Sequence, residues 1–272
     1  MAEIKDKIFI HLPLCSFSEY MPEIAGHRIN PEILITAEDL DGVDGEPYKA
    51  IEEIGRFLKE QKLFCTIHGP FLDLNPGSSD SRIRRISQER YRQVLALVSP
   101  LAPKVIVLHA AFDPLFYEDR ADAWLERSTE TWCSVVETAG KMYITDQVGI
   151  ALENVLERTP EMIRKLLLKV NSPLLGMCFD IGHFQIFSQA PLSDWITTMG
   201  ASIFELHLHD NHGQWDEHLA LGEGKIDIQG LLKMVQDLKL SPALTIEAVN
   251  EEHALLGFQR LSSYLTSERV KR

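Results

Sequence analysis

Eight short, nearly continuous apolar runs recur along the chain: KIFIHL (7–12), EILIT (32–36), LFCTIH (63–68), KVIVLH (104–109), GIALEN (149–154), LGMCFD (175–180), IFELHLHD (203–210) and ALTIEA (243–248). Runs of this kind suit strands buried on both faces, and strands that alternate with helices imply a parallel sheet with crossover connections. The intervening segment 47–61 carries Ile51, Ile54 and Leu58 at helical spacing, and 80–101, 120–143, 159–169, 228–239 and 251–265 repeat the pattern. Eight such units can close as a barrel, whereas an open doubly wound sheet would usually bring a glycine-rich turn after its first strand. LPLCSF (12–17) has no glycine. The expectation is therefore a single (β/α)8 barrel forming one domain over residues 1–272, with the first crossover, about 17–30, the least helical of its connections.

Six runs carry a potential metal ligand at or near their carboxyl ends: His68, His109, Glu153, Asp180, His207 and Glu247. His183, Asp216 and His218 lie a few residues past two of them. In an α/β barrel the carboxyl ends of all strands converge on one face, so nine ligand-type residues at that position describe a constructed site. Carboxylate and imidazole donors without thiolate suit divalent ions, with Zn²⁺ or Mn²⁺ preferred for the imidazole content, and nine donors can serve one to three ions.

Each residue has a plainer role against which coordination must be weighed. His68 and His109 could be hydrogen-bonded strand-end histidines. Glu153 and Glu247 could pair with Lys or Arg, but neither has a basic neighbour in its strand, and a buried carboxylate needs a cation or a proton. Asp180 could cap a helix, although Asp180 and His183 in CFDIGH can reach one site from one turn. His207 and His209 share a strand face, His207 as the preferred ligand and His209 as a substrate contact. The order of those two stays open. Asp216 and His218 lie in a loop, WDEHLALGEG, whose Gly222 and Gly224 shape a turn or form a backbone nest for an anion.

Bulk properties narrow the function classes. A formal net charge of −13 repels polyanions, although three divalent cations would roughly halve it and make the site locally positive. DNA is thus a less expected partner, while a phosphorylated substrate is not excluded. Cys15, Cys65, Cys133 and Cys178 have no CxxC spacing, which points to reduced thiols. No leader pattern and no membrane-length apolar run is present, so a cytoplasmic protein without membrane contact is expected.

IHGPFLDLNPGS, VLHA, ALEN, CFDIGH, HLHD, DEHLALGEG and TIEA, in this order over about residues 60–250, resemble the xylose isomerase-like superfamily. It joins sugar and sugar-phosphate isomerases and epimerases with the endonuclease IV type of apurinic endonuclease, AP endonuclease family 2. The isomerase and epimerase branch implies one catalytic divalent cation on Glu153, Asp180, His207 or His209, and Glu247. There the two glutamates flank the substrate, proton transfer proceeds through a metal-stabilised enediolate, and His183 contacts the sugar. The endonuclease IV branch implies a three-zinc phosphodiesterase centre on His68, His109, Glu153, Asp180, His183, His207, Asp216, His218 and Glu247, with Glu153 bridging. That branch carries long basic and aromatic DNA-binding insertions, whereas AEDLDGVDGEP (37–47) is short and acidic. Phe71 occupies the position of a DNA-entering aromatic, and Arg82, Arg84 and Arg85 fit a solvated helical face. The resemblance favours the isomerase or epimerase reaction, with the phosphodiesterase as the alternative.

Overall fold

The computed structural model describes residues 7–42, 46–143 and 148–267. Part of the acidic segment 37–47, residues 43–45, lies outside them. Eight parallel strands close on themselves in chain order: β1 Ile8–Pro13, β2 Asn30–Leu34, β3 Thr66–His68, β4 Val105–His109, β5 Gly149–Glu153, β6 Leu175–Asp180, β7 Ile203–Leu208 and β8 Ala243–Ile246. The pairing of β1 with β8, Ile8 opposite Leu244, removes the free edges that an open sheet would have. The chain is a (β/α)8 TIM barrel.

Alternation along the strands separates two apolar environments. Ile106, Leu108, Ile150, Leu152, Met177 and Phe179 belong to the large core packed against the helices, while Val105, Val107, Ala151 and Cys178 form a small cluster of their own. The second set has the strand parity of His109, Glu153 and Asp180, so it fills the barrel beneath them. Buried polar residues Thr66, Glu205 and Thr245 share that interior.

Two local differences from the sequence expectation have clear causes. β2 runs two residues earlier than 32–36 because Pro31, normally a strand terminator, sits in register opposite Ile10. The first crossover is an eleven-residue helix, Phe17–His27, despite an internal Pro22. Its only buried side chains are Phe17 and Ile24, so packing rather than local propensity holds it. The β6–β7 crossover contains two short helices, Ile181–Phe187 and Leu192–Met199, too brief for a periodic signal. No helix among the described residues is long and apolar enough to cross a membrane.

Candidate metal centre

Strand register assembles the donors. His109 is the direct partner of Glu153, and Asp180 that of His207. A register shift between Met177 and Cys178 opposite β7 sets the latter pairing. Glu247 follows the last paired residue of β8, so it points from the rim rather than from within the strand.

Glu153 is the hub, buried to 1% exposure. Its Oε2 lies 3.1 Å from His68 Nε2, 3.5 Å from His109 Nε2 and 3.4 Å from His207 Nδ1, while Oε1 lies 3.1 Å from His183 Nδ1. The alternative of a Lys or Arg partner fails: every ion-pair contact of Glu153, Asp180, Asp216 and Glu247 among the described residues is with histidine. Burial would raise the Glu153 pKa, but the imidazoles around it hold it well below the usual carboxylate range. One carboxylate cannot support four imidazolium ions. Burial drives His109 down to about 3 against the pull of Glu153, with the charge of His68 adding to the depression. His68, also penalised by burial, is raised to about 9 by the hydrogen bond and charge of Glu153.

His207 supplies the most telling atom. Its Nδ1 is buried without a hydrogen-bond partner, yet it faces Glu153 Oε2 at 3.4 Å, Glu247 Oε1 at 3.4 Å and Asp180 Oδ2 at 4.0 Å. Four-coordinate ligands at roughly 2.0–2.2 Å from an ion stand about 3.3–3.6 Å from one another. Two of the three oxygens stand at that distance from the orphaned nitrogen and the third is a little farther, so His207 Nδ1 is turned toward carboxylates that could share a divalent cation with it. Carboxylate and imidazole donors without thiolate are the ligand types that divalent cations take.

The loop residues complete the arrangement. Asp216 Oδ2 lies 3.2 Å from His183 Nε2 and 3.0 Å from His218 Nε2, and His218 Nδ1 is 3.9 Å from Glu247 Oε2. The ring of His218 stacks on that of His209, with centroids 4.0 Å apart and 2° between planes. His209 is wholly buried, with Nε2 3.2 Å from Asp180 Oδ2 and 3.7 Å from Asp216 Oδ1. All nine sequence-selected residues therefore join one continuous network. Within it His207 lies nearest Glu153 and Glu247, with Asp180 a little farther, whereas His209 lies nearest Asp180 and Asp216.

Asp180 caps a helix and still keeps an oxygen turned toward the imidazoles. Its Oδ1 caps the helix Ile181–Phe187 by accepting the His183 N–H at 2.6 Å, while Oδ2 remains directed at His207 and His209. The Asn154 side chain bridges both backbone groups of Asp180 and so ties the end of β5 to that of β6. The anion held in the loop of Gly222 is one of the chain's own side chains. Asp210 accepts the N–H groups of Asn211, Gly222 and Ile226, with Gly222 at φ +87°, so the loop is folded around its own carboxylate. Phe71 is half-buried and stacked on His109 at 4.5 Å. In the basic cluster, Arg84 bonds the carbonyls of Ser78 and Ser79 at the start of its helix.

Four buried or partly buried groups went unselected in the sequence. Glu32 and His11 lie on β2 and β1, with Glu32 Oε2 2.7 Å from His11 Nδ1 and Oε1 3.2 Å from His207 Nε2. Glu205 accepts hydrogen bonds from Thr66 and Thr245, and burial, with the charge of Glu32, raises it to about 8. Glu157 accepts the N–H groups of Phe112 and Val155 and is raised by burial to about 7. For two of them the available signal was a carboxylate at the start of an apolar run, as in EILIT, or within one, as in IFELHL, rather than at its carboxyl end.

Residues 32–267 match the model of a family described as xylose isomerase-like TIM barrel. The chain belongs to that family. Among its relatives, the uncharacterized protein MJ1311 of Methanocaldococcus jannaschii is 28% identical over 257 residues, covering 92% of this chain and 85% of that protein. A crystal structure of a D-tagatose 3-epimerase-like protein is 26% identical, with a TM-score of 0.84 over 97% of this chain and 99% of that one. The TTHB071 protein from Thermus thermophilus, in a structure soaked with ZnCl2, superposes with a TM-score of 0.77 at 21% identity, over 96% of this chain and 98% of that one. For this xylose isomerase-like barrel the last likeness concerns the fold alone.

Proposed function

We propose that this protein is a divalent-metal-dependent isomerase or epimerase acting on a sugar or sugar phosphate, one domain spanning residues 1–272. The observation that carries the reading is the pair Glu153 and Glu247, whose carboxylates face the same orphaned His207 Nδ1 at 3.4 Å each. Likeness to a D-tagatose 3-epimerase-like protein at 26% identity over nearly the whole chain supports the same class. Glu153, Asp180, His207 and Glu247 would hold the cation, zinc or manganese. When bound, it supplies Lewis-acid stabilisation of oxyanion charge on the substrate.

The chain's own groups do the rest. In an epimerisation one glutamate would take the proton from the carbon beside the carbonyl and the other would return one to the opposite face of that same carbon. In an isomerisation the proton would go back to the neighbouring, former carbonyl carbon while a hydroxyl proton moves to the old carbonyl oxygen. His183, tied to Asn154 O at 3.0 Å and to Asp216, would orient a hydroxyl, and His209 would steady Asp180 behind it. Exclusion of bulk water follows from the burial of Glu153, Asp180 and His207 at 0–1% exposure.

A second reading has its own observation. The donors also divide into sets around Glu153 (His68, His109), around His207 (Asp180, Glu247) and around Asp216 (His183, His218), a pattern that suits a three-zinc phosphodiesterase of the endonuclease IV type. The short acidic helix at the mouth, Ala37–Leu40 with Glu38 and Asp39, opposes a nucleic-acid backbone there.

Metal content per chain after purification without chelator, followed by ketose, aldose and sugar-phosphate panels in D2O, tests the choice. Deuterium incorporation at a carbon adjacent to a carbonyl, abolished in Glu153→Gln and Glu247→Gln, is the expected result. About three zinc ions per chain with incision of an abasic duplex and no exchange would replace the isomerase reading with the phosphodiesterase one.

A further inference from the structure

Glu32 lies on β2, at 0% exposure, and its two oxygens are divided between two imidazoles. Oε2 holds His11 Nδ1 at 2.7 Å and Oε1 faces His207 Nε2 at 3.2 Å. His207 is thereby addressed at both ring nitrogens. One end meets Glu32 within hydrogen-bond reach, while the other, Nδ1, has no hydrogen-bond partner and looks toward Glu153, Glu247 and Asp180.

A neutral imidazole carries one N–H, and a carboxylate can only accept, so an acceptor at Nε2 draws the ring proton there. The lone pair is then left on Nδ1, the nitrogen that faces the cation-sized gap. We propose that Glu32 is a positioning residue that locks His207 as its Nε2–H tautomer and so presents Nδ1 as a metal ligand. The cation in this statement rests on the function proposed above; the tautomer does not. Carboxylates behind metal-bound histidines fix ring orientation and raise ligand basicity, and their loss typically lowers metal affinity about 10–100-fold.

Glu205 provides the comparison. It is equally buried in the same barrel, but its hydrogen bonds go to the hydroxyls of Thr66 and Thr245 and not to an imidazole. The test has two arms. Zinc affinity measured by chelator competition is expected to fall about 10–100-fold in Glu32→Gln, whose amide can donate to Nε2 and favour the wrong tautomer, and to stay within about threefold of wild type in Glu205→Gln. Glu32→Asp, which keeps the charge but shortens the reach, is expected to fall between them.

Long-range ¹H–¹⁵N correlation of the histidine rings in the wild-type protein, with His207→Gln as the assignment control, supplies the second arm and needs no variant of Glu32 to fold. Burial disfavours a charge on His207, but Cys178, Glu247, Glu32 and Glu153 hold its pKa well above the ordinary value. Spectra are therefore taken at a pH high enough to neutralise the ring, where a proton on Nε2 and an unprotonated Nδ1 are expected. A neutral ring protonated on Nδ1, or unchanged zinc affinity in a folded Glu32→Gln, overturns the proposal. Absence of any zinc or manganese binding by the wild type would instead strike the metal-dependent reading while leaving the tautomer measurement to decide the role of Glu32.

Discussion

Gly182, inside the CFDIGH segment, is the point at which backbone and the buried histidine cluster compete for the same space. A methyl group there would stand 2.6 Å from Nδ1 of the His209 ring and closer still to its Cε1 and Nε2, far inside contact distance. The ring cannot move aside freely, because it is wholly buried, stacked on His218 at 4.0 Å and bonded to both oxygens of Asp180 at 3.2 Å. Overpacking of this kind costs about 1–3 kcal/mol, and loss of a hydrogen bond to a charged group about 1.5–3 kcal/mol. Gly182→Ala is therefore expected to destabilise the protein by about 3–5 kcal/mol, or to fold with His209 expelled and metal affinity impaired. Urea unfolding in chelator, with zinc titration of the folded protein, separates these outcomes. A double-mutant cycle with His209→Ala sharpens the test. With the ring gone, alanine at this helical position should be neutral or stabilising by up to about 1 kcal/mol, as helix propensity dictates. Equal cost of Gly182→Ala in both backgrounds would refute the steric argument.

Other expectations concern protons and the long loop. His68 is raised to about 9 in the folded chain, so the stability it contributes to the metal-free protein is complete below its unfolded pKa near 6.5. Thermal scans should show that contribution lost as pH rises toward 9, while apparent zinc affinity increases over the same window because fewer protons compete. Glu157, raised by burial to about 7, favours folding below its unfolded pKa near 4.5 and loses that contribution between 4.5 and 7. The stability difference between wild type and Glu157→Gln should therefore change by about 3 kcal/mol across that range; a constant difference would show that Glu157 ionises normally. Asp210→Ala strands three N–H groups at Asn211, Gly222 and Ile226, and should cost about 2–4 kcal/mol with accelerated proteolysis of the loop, absent which the carboxylate is not its organiser.

Much of the site was legible because barrel topology converts a linear rule into a spatial one. A ligand at the end of a strand is at the mouth whichever strand it ends, so His68, His109, Glu153 and Asp180 could be placed together before any distance was known. Glu32 and His11 escaped that rule. Glu32 begins a segment that looked like an ordinary apolar strand, and only the pairing of β1, β2 and β3 shows that it is aimed inward toward β7. The first helix escaped for a different reason, since Pro22 and Gly26 weaken its local signal while two buried contacts secure it.

The sequence by itself determined the alternation of strand and helix, the eightfold count and the donor chemistry of the mouth, because periodicity and residue type are local properties. Tertiary structure alone decided which nitrogen faces which carboxylate. His207 lies on β7 and His209 one residue past the end of that strand, yet the closure of the barrel sets Glu153 and Glu247 nearest the first and Asp180 and Asp216 nearest the second. That division depends on register across strands far apart in sequence, and on Glu32 behind His207, where no local pattern could record it.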